Sequence, residues 1–217
     1  SYEAKGTAPG SYEGVFSNDI SDVVVMSGNE NVTGNYDISQ TVGMLTIDAN
    51  NMPLVITSES RNDFKYNGQP HSYKHYTVTY NGVTVTNVAN DTVFTLPTGD
   101  KLTVHPTGNG LGVTNVKRDA SHNVVSYDNE YLYDLENAAN YTDVRVNTGT
   151  LTVNPRLLVL ISPSYNEIYS GKAVPLMLAD SVDRQGEGLV PGQSVVCTML
   201  YQRTDVGTTP NDFNVSA

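Results

Sequence analysis

Four histidines and 23 carboxylates are the groups in this 217-residue chain whose chemistry suits proton transfer or metal binding. His71 and His75 lie four residues apart beside Tyr73 and Tyr76, a spacing that on a helix would set two metal ligands on one face. Pro70 and the β-branched surroundings favour a strand instead, where the same spacing aligns the two side chains but holds them about 13 Å apart. One zinc ion cannot bridge that gap, so the pair reads as exposed edge-strand histidines. Glu13, Asp19 and Asp22, and then Asp128, Glu130, Asp134 and Glu136, are the carboxylate groupings that could ligate calcium or form a glycosidase pair. Neither stretch has the roughly twelve-residue loop with a turning glycine that gathers oxygens on calcium, which leaves only a site assembled from separate loops. A glycosidase needs two carboxylates at a set separation in a cleft, which spacing along a chain does not specify. Solvated acidic surface is the default reading.

Nucleophilic and cofactor chemistry is equally bare. There is no Gly-x-Ser-x-Gly elbow, phosphate loop or dinucleotide fingerprint. Cys197 is the single cysteine, which excludes an intrachain disulfide and a thiolate zinc cluster. No catalytic residue, cofactor or metal is therefore assigned. Lys65, Lys101 and Lys172 lie in or near strands, where a buried lysine beside an amide and a carboxylate could form an isopeptide crosslink, but snorkelling lysines explain them more simply. The remaining candidates are aromatic. With 14 tyrosines and no tryptophan, Tyr73, Tyr76 and Tyr80, or Tyr127, Tyr131 and Tyr133, could form a platform for a glycan or protein, since tyrosine joins a flat apolar face to a hydroxyl. Tyrosine is also a favoured strand residue and core filler.

The elements that would position these residues are strands. Helical periodicity is nearly absent, and short Val, Ile, Thr and Tyr runs alternate between Gly, Asn, Asp and Pro clusters. Strands are predicted at Asp22–Met26, Gly43–Ile47, Pro53–Thr57, Tyr76–Tyr80, Gly82–Val88, Thr92–Leu96, Lys101–His105, Gly149–Val153, Arg156–Ile161 and Ser194–Leu200. Tyr76, Val78 and Tyr80 should share one face, and Asn81-Gly82 should make a tight hairpin, since both residues tolerate positive φ. Residues 129–140, with Leu132, Leu135, Ala138 and Ala139, are the one stretch that suits a short helix or helical turn.

A hydrophobic content of 38% lies below the usual ~45–50%, which fits thin sandwich cores. The formal charge of −11 lacks the cations that neutralise phosphates, so nucleic acid is excluded as a partner. It also opposes docking on anionic lipid, and no run of about 18 apolar residues is present, so no membrane insertion is expected. No secretion signal precedes Ser1, from which the chain is expected to be an internal piece of a longer protein.

Internal repetition organises the whole chain. Asn35, Tyr36, Gly43, Leu45, Thr46 and Ile47, followed by Leu54, Val55, Ile56, Tyr66 and Gly68, return as Asn140, Tyr141, Gly149, Leu151, Thr152 and Val153, followed by Leu158, Val159, Leu160, Tyr169 and Gly171. Thr7, Gly10, Ser11 and Phe16 match Thr204, Gly207, Thr208 and Phe213 with the same internal spacing. In one frame, residues 1–52 are the closing half of a repeat, 53–155 a complete repeat, and 156–217 the opening half of a third. Another frame joins two modules near residue 110. In the middle copy, around 107–116, the mid-repeat element is hard to recognise.

These signatures resemble the MBG-type repeats ("mostly beta, glycine rich") of bacterial surface proteins. Such units close on Asn-Tyr, a gap and Gly-Thr-Leu-Thr-Val, as in Asn140, Tyr141 and Gly149–Val153, and restart through a Tyr-Asn-Gly turn, as in Tyr66, Asn67 and Gly68. Their mid-repeat Thr-Asp-Val-Gly element is matched by Thr204, Asp205, Val206 and Gly207. The resemblance implies an all-β, extracellular, cell-surface or wall-attached array of small sandwich-like modules, elongated, without enzymatic activity or a ligand site. The function expected is a stalk or adhesive spacer able to associate end to end through its half-repeats. The alternative is a module that binds host glycan or matrix protein through its tyrosine-rich loops.

Overall fold

A computed structural model describes residues 2–16, 19–86, 88–164, 166–174, 183–200 and 202–216. The chain is all-β, and among the described residues the helical elements are 3-10 turns of three or four residues. Two compact units divide it, each made of three segments. Residues 1–59, 74–106 and 131–148 form the first, and residues 60–73, 107–130 and 149–217 the second.

In the first unit two four-stranded sheets close over one core. One sheet is ordered Val83–Thr84, Tyr76–Tyr80, Leu54–Ser58, Val144–Asn147; the other is Val88–Ala89, Val93–Thr95, Lys101–Pro106, Tyr131–Leu135. Alternation along each strand sends one side chain in two into the core. Leu54 and Ile56, Tyr76 and Val78, and Leu102 and Val104 are buried there with Phe94, Leu96 and Tyr131. Asn81 and Gly82 have φ of 49° and 75°, and Tyr80 pairs directly with Val83, the two-residue hairpin expected from the Asn-Gly pair. Leu54–Ser58 is antiparallel to Tyr76–Tyr80 but parallel to Val144–Asn147, a pairing between residues some 90 positions apart.

The second unit contains a three-stranded sheet ordered Tyr127–Asp128, Thr150–Asn154, Arg61–Lys65. Leu151 and Val153 are its buried residues, covered by Val113 and by half-buried Phe64, Tyr66, Tyr73 and Tyr127. Arg61–Lys65 is parallel to Thr150–Asn154 with a shift of register between Leu151 and Val153. The Asn154 amide donates to the carbonyls of Asn62 and Phe64 at 2.9 and 3.1 Å and so holds this irregular stretch. A smaller cluster joins Cys197 to Leu160, Val195 and Phe213.

Three sequence expectations are met only in part or not at all. Residues 131–135 form a strand, and helical geometry is confined to one 3-10 turn at Ala138–Asn140. The Leu132/Leu135 spacing mimics a helix, but Tyr131, Tyr133 and Leu135 alternate inward while Leu132 is 65% exposed. Asn137, at φ 51°, then turns the chain. Ile20–Asp22 is also a 3-10 turn, with strand resuming only at Met26–Ser27, so the Asp22–Met26 strand is not formed. The strand expected over Gly82–Val88 is two short ones, Val83–Thr84 and Val88–Ala89, with position 87 outside the described residues.

Candidate functional site

The carboxylates singled out in the sequence hold turns and strand ends. Asp19 accepts the Ser21 amide at 3.2 Å, Glu130 the Asn109 amide at 2.8 Å and Glu136 the Lys101 amide at 2.9 Å. Asp134 lies 2.9 Å from His105 Nε2 in an exposed pair, while Glu13 and Asp128 sit in short strands. The Asp19 bond is a local turn contact, whereas Glu130 and Glu136 accept from amides 21 and 35 residues away and so tie separate segments together. Among the described residues no group of three or more His, Cys, Asp or Glu is placed to hold a metal ion. His71 stacks on Phe64 at 4.9 Å and its backbone bridges to Val113, whereas the His75 carbonyl accepts the Glu59 amide. Lys65 pairs with Glu187 at 3.0 Å in the open, and Lys101 and Lys172 are exposed.

The six tyrosines do not share one surface. Tyr76 and Tyr131 are buried with rings 5.6 Å apart, edge to face, so both are taken up by the first core, and Tyr80 and Tyr133 pack half-buried against it. Tyr73 and Tyr127 pack against the second core, and Tyr127 also donates to the Asn115 carbonyl. Arg61 lies 5.2 Å above the Phe64 ring and 5.5 Å above that of Tyr73. Burial pushes the Tyr131 hydroxyl up to about 12 and that of Tyr141 to about 12, and raises Tyr76. Tyr141, the tyrosine of the closing Asn-Tyr motif, donates to Asp100, whose carboxyl is held below its ordinary range first by that bond and then by Asn137. Thr98 Oγ1 lies 2.6 Å from the same hydroxyl.

The most informative constellation is a piece of backbone that recurs. In three hairpins the register matches: Tyr2 opposite Phe16, Pro106 opposite Tyr131, and Met199 opposite Phe213. The next pair inward is Glu3 with Val15, Thr107 with Glu130, and Leu200 with Asp212. Gly10 and Gly207, equivalent in the first and third hairpins, have φ of 154° and 144°, which favours a residue without Cβ.

The closing element recurs as well. Asn35 and Asn140 each end a 3-10 turn, and the amides of Tyr36 and Tyr141 both bond back to its first carbonyl at 3.1 Å. Leu45 pairs with Tyr12 and Met44 with Glu13, just as Leu151 pairs with Tyr127 and Thr150 with Asp128. The amides of Gly14 and Asn129 then bond to the carbonyls of Gly43 and Gly149, both at 2.8 Å. After the restart, Leu54 pairs antiparallel with Tyr80 and Leu158 with Gly186. Gly68 and Gly171 turn with φ of 78° and 73°. The mid-repeat element that the sequence concealed is thus residues 106–107 with 127–131. Val15 follows Glu3 by 12 positions, but Glu130 follows Thr107 by 23, and this longer loop broke the sequence match.

Burial sets the middle copy apart from its neighbours. Tyr141 and Tyr131 are each 8% exposed, whereas Tyr36 and Phe16 at the equivalent positions are 58% and 36% exposed. Leu151 and Val153, and Leu54 and Ile56, are buried, while Leu45, Ile47, Leu158 and Leu160 are only half-buried. No helix among the described residues is long and apolar enough to cross a membrane. Comparison of the chain with protein-family models, with curated proteins and with solved structures finds no match.

Proposed function

We propose that this chain is a non-catalytic, extracellular segment of a bacterial surface protein, made of MBG-type repeats and serving as a stalk or adhesive spacer. The observation that supports this reading is the recurrence of one hairpin register at Tyr2/Phe16, Pro106/Tyr131 and Met199/Phe213, in which an aromatic ring is kept on one strand while the residue facing it differs each time. A catalytic fold keeps particular side chains in one place. A spacer keeps the backbone plan and lets the side chains drift, because each added unit extends reach without new chemistry. The charge of −11 suits a displayed array that must stay dispersed.

The binding alternative has less behind it, because two of its six tyrosines are core residues and the other four are half-buried. Small-angle scattering tests the spacer reading. A compact globule of this length would have a radius of gyration of about 17 Å. A clearly larger value, with the scattering profile of a rod, is the expected result, and a globular profile near that radius would count against a spacer. A screen against glycans and matrix proteins covers the alternative.

A further inference from the structure

The mid-repeat hairpin of the middle copy carries an extension that its neighbours lack. With Glu3 aligned on Thr107 and Tyr12 on Tyr127, residues 4–11 of the first copy correspond to residues 108–126 of the middle one, eleven positions more. The third copy is short like the first, since Asp212 follows Leu200 by 12 positions. Packing explains the base of the extension. Val113 is 4% exposed and pairs through its backbone with His71, and Val116 packs on the same core.

Packing does not explain the tip. Residues 117–123 are all exposed, and the segment is held by its own backbone bonds, from the Val125 amide to Lys117 at 2.9 Å and from the Asp119 and His122 amides to Asn123 and Asp119 at 3.0 Å. The Asp119 carboxylate accepts the Ser121 and Asn123 amides, both at 2.9 Å, and the Asn123 side chain at 3.2 Å, so the one carboxylate of the tip is spent on the turn. His122 has φ of 65°, where a plain connection would place glycine. Arg118 Nη1 donates to the His122 carbonyl at 2.7 Å. That bond fixes the guanidinium and leaves Nε and Nη2 along its open edge. Arg145 shows what this edge does elsewhere in the chain, gripping Asp143 through Nε at 2.8 Å and Nη2 at 2.7 Å. Among the described residues nothing takes that edge of Arg118, and the side chains of Ser121 and His122 are without a protein partner as well.

We propose that Arg118, Ser121 and His122 form a binding site for a glycan that ends in an acidic sugar, with the sugar carboxylate on Nε and Nη2 of Arg118 and neighbouring sugar hydroxyls on Ser121 and His122. Insertions confined to one copy of a repeat commonly carry its binding function. A protein partner fits less well, because it needs a buried apolar anchor and the only apolar side chain of residues 117–123 is Ala120. A polyanion fits less well too, because the chain's charge of −11 repels it as a whole. A single carboxylate meets one preorganised guanidinium, and charges more than about 8 Å away are screened at physiological salt. The inference deepens the adhesive side of the repeat-array reading by naming its site and its ligand class.

The test is an NMR titration of the isotope-labelled 217-residue chain with sialyllactose, using lactose as the neutral control. Amide signals of residues 117–123 should shift with sialyllactose and not with lactose, with a dissociation constant of about 1 mM. Arg118→Lys keeps the charge and loses the planar fork, so it should weaken binding by about tenfold or more while signals outside the tip stay in place. Lys74→Gln, which removes an exposed cation elsewhere, should bind as the unmodified chain does. Absence of shifts with sialyllactose, equal shifts with lactose, or full affinity in Arg118→Lys overturns the inference. So does sodium acetate acting at the same concentrations, which would reduce the site to an adventitious anion contact, or an acidic peptide binding there more tightly than the sugar. Failure of the titration leaves rod-like scattering and the spacer reading standing, whereas a compact particle with an intact titration would sink the spacer and keep the site.

Discussion

Tyr131 donates its hydroxyl to the carbonyl of Ile56 at 2.7 Å, across 75 residues of sequence. The same hydroxyl lies 3.1 Å from the carbonyl of Asn147, so a side chain from one sheet reaches both members of the parallel pair in the other. That pair has no short connection to set its register, and this contact marks the register from inside the core.

Tyr131→Phe should therefore destabilise the chain by about 1–2 kcal/mol, because the buried Ile56 carbonyl loses a donor while the ring is kept. Urea unfolding measures the loss. A change near zero would mean that the hydroxyl contributes little to the parallel pairing.

Tyr131 and Tyr141 both carry hydroxyls pushed up to about 12. A folded-state value above the ordinary value of about 10 means that the neutral form is favoured by folding. That stability is fully present below pH 10 and is lost as the pH rises toward 12. Near-ultraviolet titration should show a late tyrosine fraction that ionises together with loss of structure. In Tyr131→Phe/Tyr141→Phe the late fraction should shrink.

Asp100 has the opposite sign. Its carboxyl is depressed by the hydrogen bond from Tyr141 and then by that from Asn137, so its contribution is present above the ordinary carboxylate range and is lost as the pH falls through and below it. The melting temperature of the unmodified chain should drop on acidification more than that of Asp100→Asn. Equal acid dependence would show that this network carries no linkage. The group is largely solvated, so the difference should be small.

The two Leu-Thr strands offer a paired comparison. Leu151 is fully buried, and Leu151→Ala should cost about 2–5 kcal/mol. Leu45, at the equivalent half-buried position, should cost less than about 2 kcal/mol on the same substitution, since it removes less surface from water. Equal costs would mean that the first copy is closed as tightly as the middle one.

Where a local pattern is enough to choose a conformation, the sequence was readable. Tyr76–Tyr80 forms over its predicted span, and Asn81-Gly82 turns with both φ positive. Lys101–Pro106 extends its predicted strand by one residue, and Thr150–Asn154 is its predicted strand shifted by one. Arg61–Lys65 and Tyr131–Leu135 were missed for different reasons. The first is largely polar and exposed, so it shows no apolar alternation, and the second carries leucines at helical spacing. The candidate surface was legible only in part. Repetition pointed to the closing and opening halves and to 53–155 as the complete copy, but the burial that separates Tyr141 from Tyr36 depends on distant contacts, which spacing does not encode.

The amino-acid sequence by itself determined the all-β class, the tight turns and the recurrence of one plan along the chain, because alternation, positive φ and repetition are properties of neighbouring residues. Tertiary structure alone decided that Leu54–Ser58 lies parallel to Val144–Asn147, that Pro106 and Tyr131 form the hidden middle hairpin, and that Tyr76 and Tyr131 belong to a core. Those outcomes depend on contacts between segments far apart in the chain. Their register is chosen by the joint fit of side chains and backbone partners that meet only after the chain has folded.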